Sequence, residues 1–154
     1  MQIIEAQLVE GVFPLMKIHE LEPGFAIADA VAVDDLDEVA RQGFRSVICN
    51  RRPGEAEDHP DDRALRARAS KLGLDWRCIP VTPGEYAEPD IEAFGQALDK
   101  LPSPILAFCR TGTRAVHLWA LARSQQTSRD IPALLAAVHA AGHDPQPIRE
   151  MIKA

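Results

Sequence analysis

Apolar positions along this chain fall into short blocks with two different periods, separated by proline, glycine and charged residues. "MKIHEL" and "FAIADAV" alternate as strands do, and "EPG" at Glu22 to Gly24 supplies the turn between them. Asp34 stands where a side chain caps a helix. Leu36, Val39 and Ala40 then follow helical spacing, and Gly43 is placed for a left-handed C-terminal cap. "FRSVICN" is short, apolar and flanked by punctuation, which predicts a buried strand. Polar "RRPGEAEDHPDD" predicts a loop. A helix follows from about Asp61 to Leu72, ended by Gly73, and then the strand "LDWRCIPV".

The loop "TPGEYAE" leads to Pro89 and Asp90, which open a helix running through Leu98; Pro102 and Pro104 stop it before the strand "ILAFC". One helix follows from near Thr113, another lies in "IPALLAAVHAAG", and "DPQPIREMIKA" is a short C-terminal piece. From Asp34 onward, helices and strands alternate. That order predicts an α/β fold with a mainly parallel central sheet, helices on both faces and an N-terminal hairpin. Residues 17–154 are expected to form one domain, and residues 1–16 an N-terminal extension. Sheets of this kind place ligands beyond the carboxyl ends of their strands, where Cys109 falls.

Composition narrows the partners. A net charge of −6 with no long Lys/Arg run argues against nucleic acid or an anionic membrane, so positive charge at a site must be local. Glu5 and Glu10 interrupt what would be a secretory leader, and no apolar run approaches the roughly 20 residues of a membrane span. Cys49, Cys78 and Cys109 are an odd number without metal-type spacing, which fits a reducing, cytoplasmic location. His139 and His143 have helical spacing, but Gly142 falls between them and neither an HExxH pattern nor a third ligand accompanies them. No metal or other cofactor is therefore expected.

Chemistry concentrates in "FCRTGTRAV". Between a strand and a helix, residues Arg110, Thr111, Gly112 and Thr113 form a loop whose backbone N–H groups, with the helix N-terminus, favour an anion. A thiol in such a field ionises more readily and becomes a nucleophile, and Arg114 offers a planar fork for two oxygens of an anion. Gly112 allows a backbone conformation or close approach that a side chain would block. Arg51 and Arg52 lie on a loop that opens to the same sheet edge and are candidate substrate contacts, with Glu55 orienting one of them; a solvated turn is the alternative. Tyr86 is a candidate pocket wall, His117 a packed or surface histidine, and Cys49 and Cys78 are expected to pack within their strands, with Cys49 as a resolving thiol for Cys109 the alternative.

Through "FAIADAVAVDDLDEVARQGFRSVICNRRPGE", "WRCIPVTPG" and "ILAFCRTGTRAVHLWAL", roughly residues 17 to 125, the chain resembles small bacterial dual-specificity-phosphatase-like proteins. The same family includes the phosphatase-like domain of beta-lactamase-hydrolase-like proteins. The resemblance implies a cysteine-dependent phosphatase-like hydrolase acting on a phosphate ester: Cys109 attacks phosphorus, Arg114 and the loop amides hold the oxygens, and a cysteinyl-phosphate is hydrolysed. It implies a small phosphorylated or other anionic substrate, or a phosphoprotein.

The chain departs from the phosphatase pattern at four places. Phe108 replaces the usual His, four residues rather than five separate Cys109 from Arg114, and Ala115 lacks the usual hydroxyl, for which Thr111 or Thr113 can substitute. The expected general acid falls near Pro83 or Gly84; Glu85 is the nearest carboxylate, while Asp90 is explained as a helix cap. "CRTGTRA" is also similar to the loop of single-domain rhodaneses, which implies sulfur transfer through a persulfide, a reaction that needs no such acid. The third expectation is an inactive anion-binding or redox-sensing module.

Overall fold

The computed structural model describes residues 16–126 and 130–153. The expected N-terminal extension lies almost wholly outside the described residues. Strands β1 (Ile18–Glu22) and β2 (Phe25–Ala28) form the hairpin, with Gly24 at φ +85° in its turn. Then follow α1 (Asp35–Arg41), β3 (Ser46–Cys49), α2 (Asp62–Lys71), β4 (Asp75–Cys78), α3 (Glu88–Lys100), β5 (Ile105–Phe108), α4 (Thr113–Ser124), α5 (Ile131–Ala140) and α6 (Gln146–Lys153). The five-stranded sheet has the order β1-β2-β5-β3-β4. Strand β1 is antiparallel to β2, and the other neighbours are parallel.

Strand alternation divides the core into two layers. Phe25, Ile27, Ile48 and Ala107 point to the face covered by α3 to α6, where they meet Phe94, Leu118, Trp119, Val138 and Ile148. Ala26, Ala28, Val47, Cys49, Leu106 and Phe108 point to the other face, against Leu36 and Val39 of α1 and Leu65 and Ala69 of α2. Helix α4 is buried from Arg114 through Arg123, so it behaves as a core element rather than an amphipathic cover. Its outer end is fixed by Glu22, which accepts from Trp119 Nε1 at 3.0 Å and from Arg123 Nε at 3.2 Å.

Local capping follows the sequence at some ends and not at others. Asp61 caps α2 by accepting from the Arg63 N–H, and Gly43 and Gly73 adopt positive φ after α1 and α2. Asp34 occupies the N-cap of α1 but makes no cap bond; the carboxylate of Asp35 turns back to the Ala32 N–H instead. Helix α3 begins at Glu88, with Ala87 at its N-cap and Pro89 in its first turn. Asp90 therefore lies inside that turn and is not the cap, because the rigid φ of Pro89 suits the first helical residues and starts the helix earlier. No described helix is long and apolar enough to cross a membrane.

The register brings the reactive edge level. Ala28 pairs with Phe108, which pairs with Cys49, so the chain leaves β2, β5 and β3 at the same height. At the opposite end of these strands, where Phe25 pairs with Ile105, Phe25 lies edge-on to Phe94, with ring centroids 6.0 Å apart, and stacks near-parallel with Trp119 at 6.4 Å. Phe94 is fully buried in that cluster. Phe94→Ala is expected to lower stability by about 3–5 kcal/mol, read from urea unfolding at constant slope, because the cavity sits between α3 and α4 where neither helix can close on it.

Candidate active site

Cys109 is 1% exposed, at the end of β5. Gly112 is the N-cap of α4 with φ +91°, a left-handed conformation that glycine adopts without a Cβ penalty. The turn directs the Gly112 N–H onto Cys109 Sγ at 3.1 Å. Arg110 and Thr111 are exposed, and the Thr111 hydroxyl donates to Thr113 Oγ1 at 3.0 Å. Thr113 Oγ1 lies 3.4 Å from His143 Nδ1. The loop is tied on both sides: Ala30 N–H donates to the Arg110 carbonyl at 3.1 Å, and Asn50 N–H to the Phe108 carbonyl at 2.9 Å.

Arg114 is 4% exposed and its fork closes on Glu55. Nη1 donates to Oε1 and Nη2 to Oε2, each at 2.8 Å, and Nη1 also donates to the Val81 carbonyl at 3.0 Å. Of the five guanidinium N–H groups, this leaves Nε–H and one Nη2–H without a carboxylate or carbonyl partner among the described residues. Glu55 also accepts from Arg51 Nε at 2.9 Å and from the Arg52 N–H at 2.8 Å. Its bond to Arg114, with the Arg52 amide and Arg51, holds the carboxyl far below the usual carboxylate range although burial opposes this. Arg114 is held charged by Glu55 first, with Cys109 contributing.

The structure thus places Arg51 inside, 2% exposed and turned to Glu55, and Arg52 exposed beside the same carboxylate. Glu55 orients Arg114 as well as Arg51, a role the sequence offered only for the Arg51–Arg52 pair. Glu85 is exposed in a turn in which its N–H donates to the Thr82 carbonyl, and its carboxylate has no partner among the described residues. Tyr86, one residue on, turns inward instead: its hydroxyl is 2.8 Å from Nδ1 of His117, one turn beyond Arg114 on α4. Burial pushes the Tyr86 phenol up, and Cys109 adds to this. Burial also brings His117 down to about 4, so its imidazole is neutral near pH 7 and can accept the phenol's hydrogen bond.

Two contacts here escaped sequence reasoning: Tyr86 with His117, and His143 against the loop. Their chain separations, 31 and 30 residues, leave no local signal. Cys49 is packed in its strand: it pairs in register with Cys78 on β4, points into the α1–α2 layer, and its thiol is pushed up by Cys78 and by burial. Strand pleating makes Cys78, not Cys109, its thiol neighbour. Among the described residues no group of three or more His, Cys, Asp or Glu side chains is arranged to hold a metal.

With this geometry in view, the comparisons with known proteins are direct. Residues 17–126 match the family model described as beta-lactamase hydrolase-like protein, phosphatase-like domain. The chain belongs to this family. A beta-lactamase hydrolase-like protein of Xylella fastidiosa is 33% identical over 129 residues, covering 84% of this chain and 30% of that protein. This phosphatase-like domain thus spans less than a third of the length of the curated relatives it matches. Among solved structures, a candidate phosphatase from Neisseria meningitidis superposes with TM-score 0.77 at 28% identity, covering 90% of this chain and 95% of that one. The active form of Tk-PTP gives 0.66 at 17%, covering 92% and 96%. The fold is that of the protein-tyrosine and dual-specificity phosphatases.

The buried pair of Glu55 and Arg114, each side chain 5% exposed, sets a pH dependence. Glu55 has a depressed pKa in the folded state, so its stabilisation is fully present above the usual carboxylate range and is lost progressively as pH falls from that range towards the depressed folded value. Glu55→Gln is expected to lose about 3–5 kcal/mol at pH 7 in urea unfolding, and the gap from wild type should narrow towards pH 3. A gap independent of pH would contradict the assignment.

Proposed function

We propose that this phosphatase-like domain is a cysteine-dependent hydrolase of phosphate monoesters with Cys109 as nucleophile. The observation that carries the reading is the Gly112 N–H on Cys109 Sγ at 3.1 Å, at the head of the helix that also carries Arg114. The Cys109 thiolate forms a bond to phosphorus as the ester P–O bond breaks, and the leaving oxygen takes the electron pair. Arg114 Nε–H, the free Nη2–H and loop amides stabilise the equatorial oxygens. Water then adds to phosphorus, its proton goes to solvent, and the S–P bond breaks to return the thiolate and release phosphate. With Glu85 turned to solvent, the leaving oxygen takes its proton from water, which favours esters of acidic alcohols such as phenols.

A second reading is sulfur transfer, favoured by the unengaged Glu85 together with the four-residue span from Cys109 to Arg114. Here the thiolate attacks the outer sulfur of thiosulfate, the S–S bond breaks, and sulfite leaves with the electron pair. Cys109 is left as a persulfide, and no proton donor is required.

One pair of measurements separates the two. Phosphate release from a series of aryl phosphates should rise as the leaving phenol becomes more acidic and fall to background in Cys109→Ser. Activity that survives in that variant contradicts the first reading. Intact mass after thiosulfate should show no added sulfur under the first reading and one sulfur on Cys109 under the second.

A further inference from the structure

Beside the reactive loop lies a separate concavity of about 440 Å³. Its walls include Lys17 and His19 of the β1 region, Asp29 after β2, Arg110 and Gly112 of the loop, and His143 of the turn between α5 and α6. In a chain of net charge −6 this wall is locally basic. Lys17 and Arg110 are both exposed, and neither side chain has a carboxylate partner among the described residues. Among the described residues Asp29 is the one carboxylate of the lining, and its Oδ1 is engaged by the Lys17 backbone N–H at 2.9 Å. His19 and His143 add ring nitrogens.

Gly112 connects the concavity to Cys109. Its N–H serves the sulfur, while a Cβ built on its α-carbon would stand 3.3 Å from His143 Nε2 and 3.6 Å from the Ala28 carbonyl. One residue is therefore the shared wall of two sites, and its lack of a side chain lets His143 pack directly on the loop.

We propose that this concavity is a second anion subsite, which takes a carboxylate or phosphate carried by the substrate away from its reacting atom. The inference rests on the reading of Cys109 and its loop as an anion-processing site and names the class of molecule that site selects: small substrates with two anionic groups. Lys17 and Arg110 supply charge-assisted hydrogen bonds to the remote group, and their separation from the Arg114 clamp fixes which end of the substrate faces the sulfur.

The test uses the full chain with Cys109→Ser, so that no reaction intervenes, and amide NMR shifts as the readout. The probes are ethyl phosphate, phosphoglycolate, and propane-1,3-diol bisphosphate. One anionic group reports the loop alone; the others add a remote carboxylate or a remote phosphate. At least one two-anion probe should bind about tenfold more tightly than ethyl phosphate, moving the Lys17 and Gly142 amides as well as Gly112. Adding Lys17→Gln should bring that ratio down to about threefold or less. Equal affinities, or a tighter probe whose advantage survives Lys17→Gln, would overturn the subsite. Shifts at Lys17 and Gly142 without any at Gly112 would leave the subsite standing and overturn the loop reading instead. Which two-anion probe gains the advantage tells carboxylate from phosphate.

Discussion

One buried carboxylate holds the site together. Glu55 receives the Arg114 fork at two oxygens, the Nε–H of Arg51 and the backbone N–H of Arg52, so the loop after β3 is pinned to the head of α4. Arg114 in turn donates to the Val81 carbonyl, which brings in the chain beyond β4. The two buried guanidinium groups, Arg51 and Arg114, share this carboxylate, and Asp58 stands 4.0 Å from Arg51, so neither cation is isolated inside. A buried arginine left without that carboxylate would carry the full desolvation penalty, which makes Glu55 a condition for having Arg114 at this depth at all. The same bonds fix the plane of the guanidinium and leave its remaining N–H groups directed elsewhere, ready without further ordering.

Sheet register makes such pinning possible. Because β2, β5 and β3 end level, the segments that follow them meet within hydrogen-bond reach. Asn50 N–H finds the Phe108 carbonyl, Ala30 N–H the Arg110 carbonyl, and Val81 N–H the Asn50 carbonyl. The loop after Cys109 is thus clamped from both neighbouring strands, and behind it α4 is buried along almost its whole length. The anion site proposed for this loop would lose little freedom on binding, the condition under which preorganised amides act most strongly.

What was legible in the sequence follows from distance along the chain. Strand alternation, the helix ends at Gly43 and Gly73, and the cysteine loop are local patterns, each set within a few residues, and they predict the α/β order and the edge on which Cys109 lies. Arg114 was legible for the same reason. Its carboxylate partner was not: Glu55 is 59 residues away and was read only with its immediate neighbours. Tyr86 and His117 meet because α4 is buried beneath the loop that follows β4, and no local rule connects them. The capping differences are of another kind. At Asp34 no cap bond forms and the neighbouring Asp35 carboxylate binds the preceding turn at Ala32, while at Asp90 the neighbouring Pro89 starts the helix earlier. Residue preference names the candidates within a turn, and backbone geometry chooses among them.

The loop after β4 is where the chemistry of this fold divides. In one turn it directs Glu85 outward and Tyr86 inward, and the inward group is bound to a neutral histidine rather than offered to a leaving oxygen. Both proposed reactions need the same sulfur, the same N–H donor and the same cation; they differ in whether the departing atom needs a proton. A carboxyl acid in this loop widens the range of phosphate esters to poor leaving groups; the Tyr86 phenol is a weaker acid, weakened further by burial, and its hydroxyl is engaged with His117. Tyr86 and His117 instead pack against each other, a half-buried ring edge-on to the imidazole with 5.6 Å between centroids, so the phenol's proton is committed to Nδ1 on the side of α4. A proton so held reaches a departing oxygen only by giving up that bond, whereas a departing sulfite asks for none, and this is the physical point at which the two proposed reactions part.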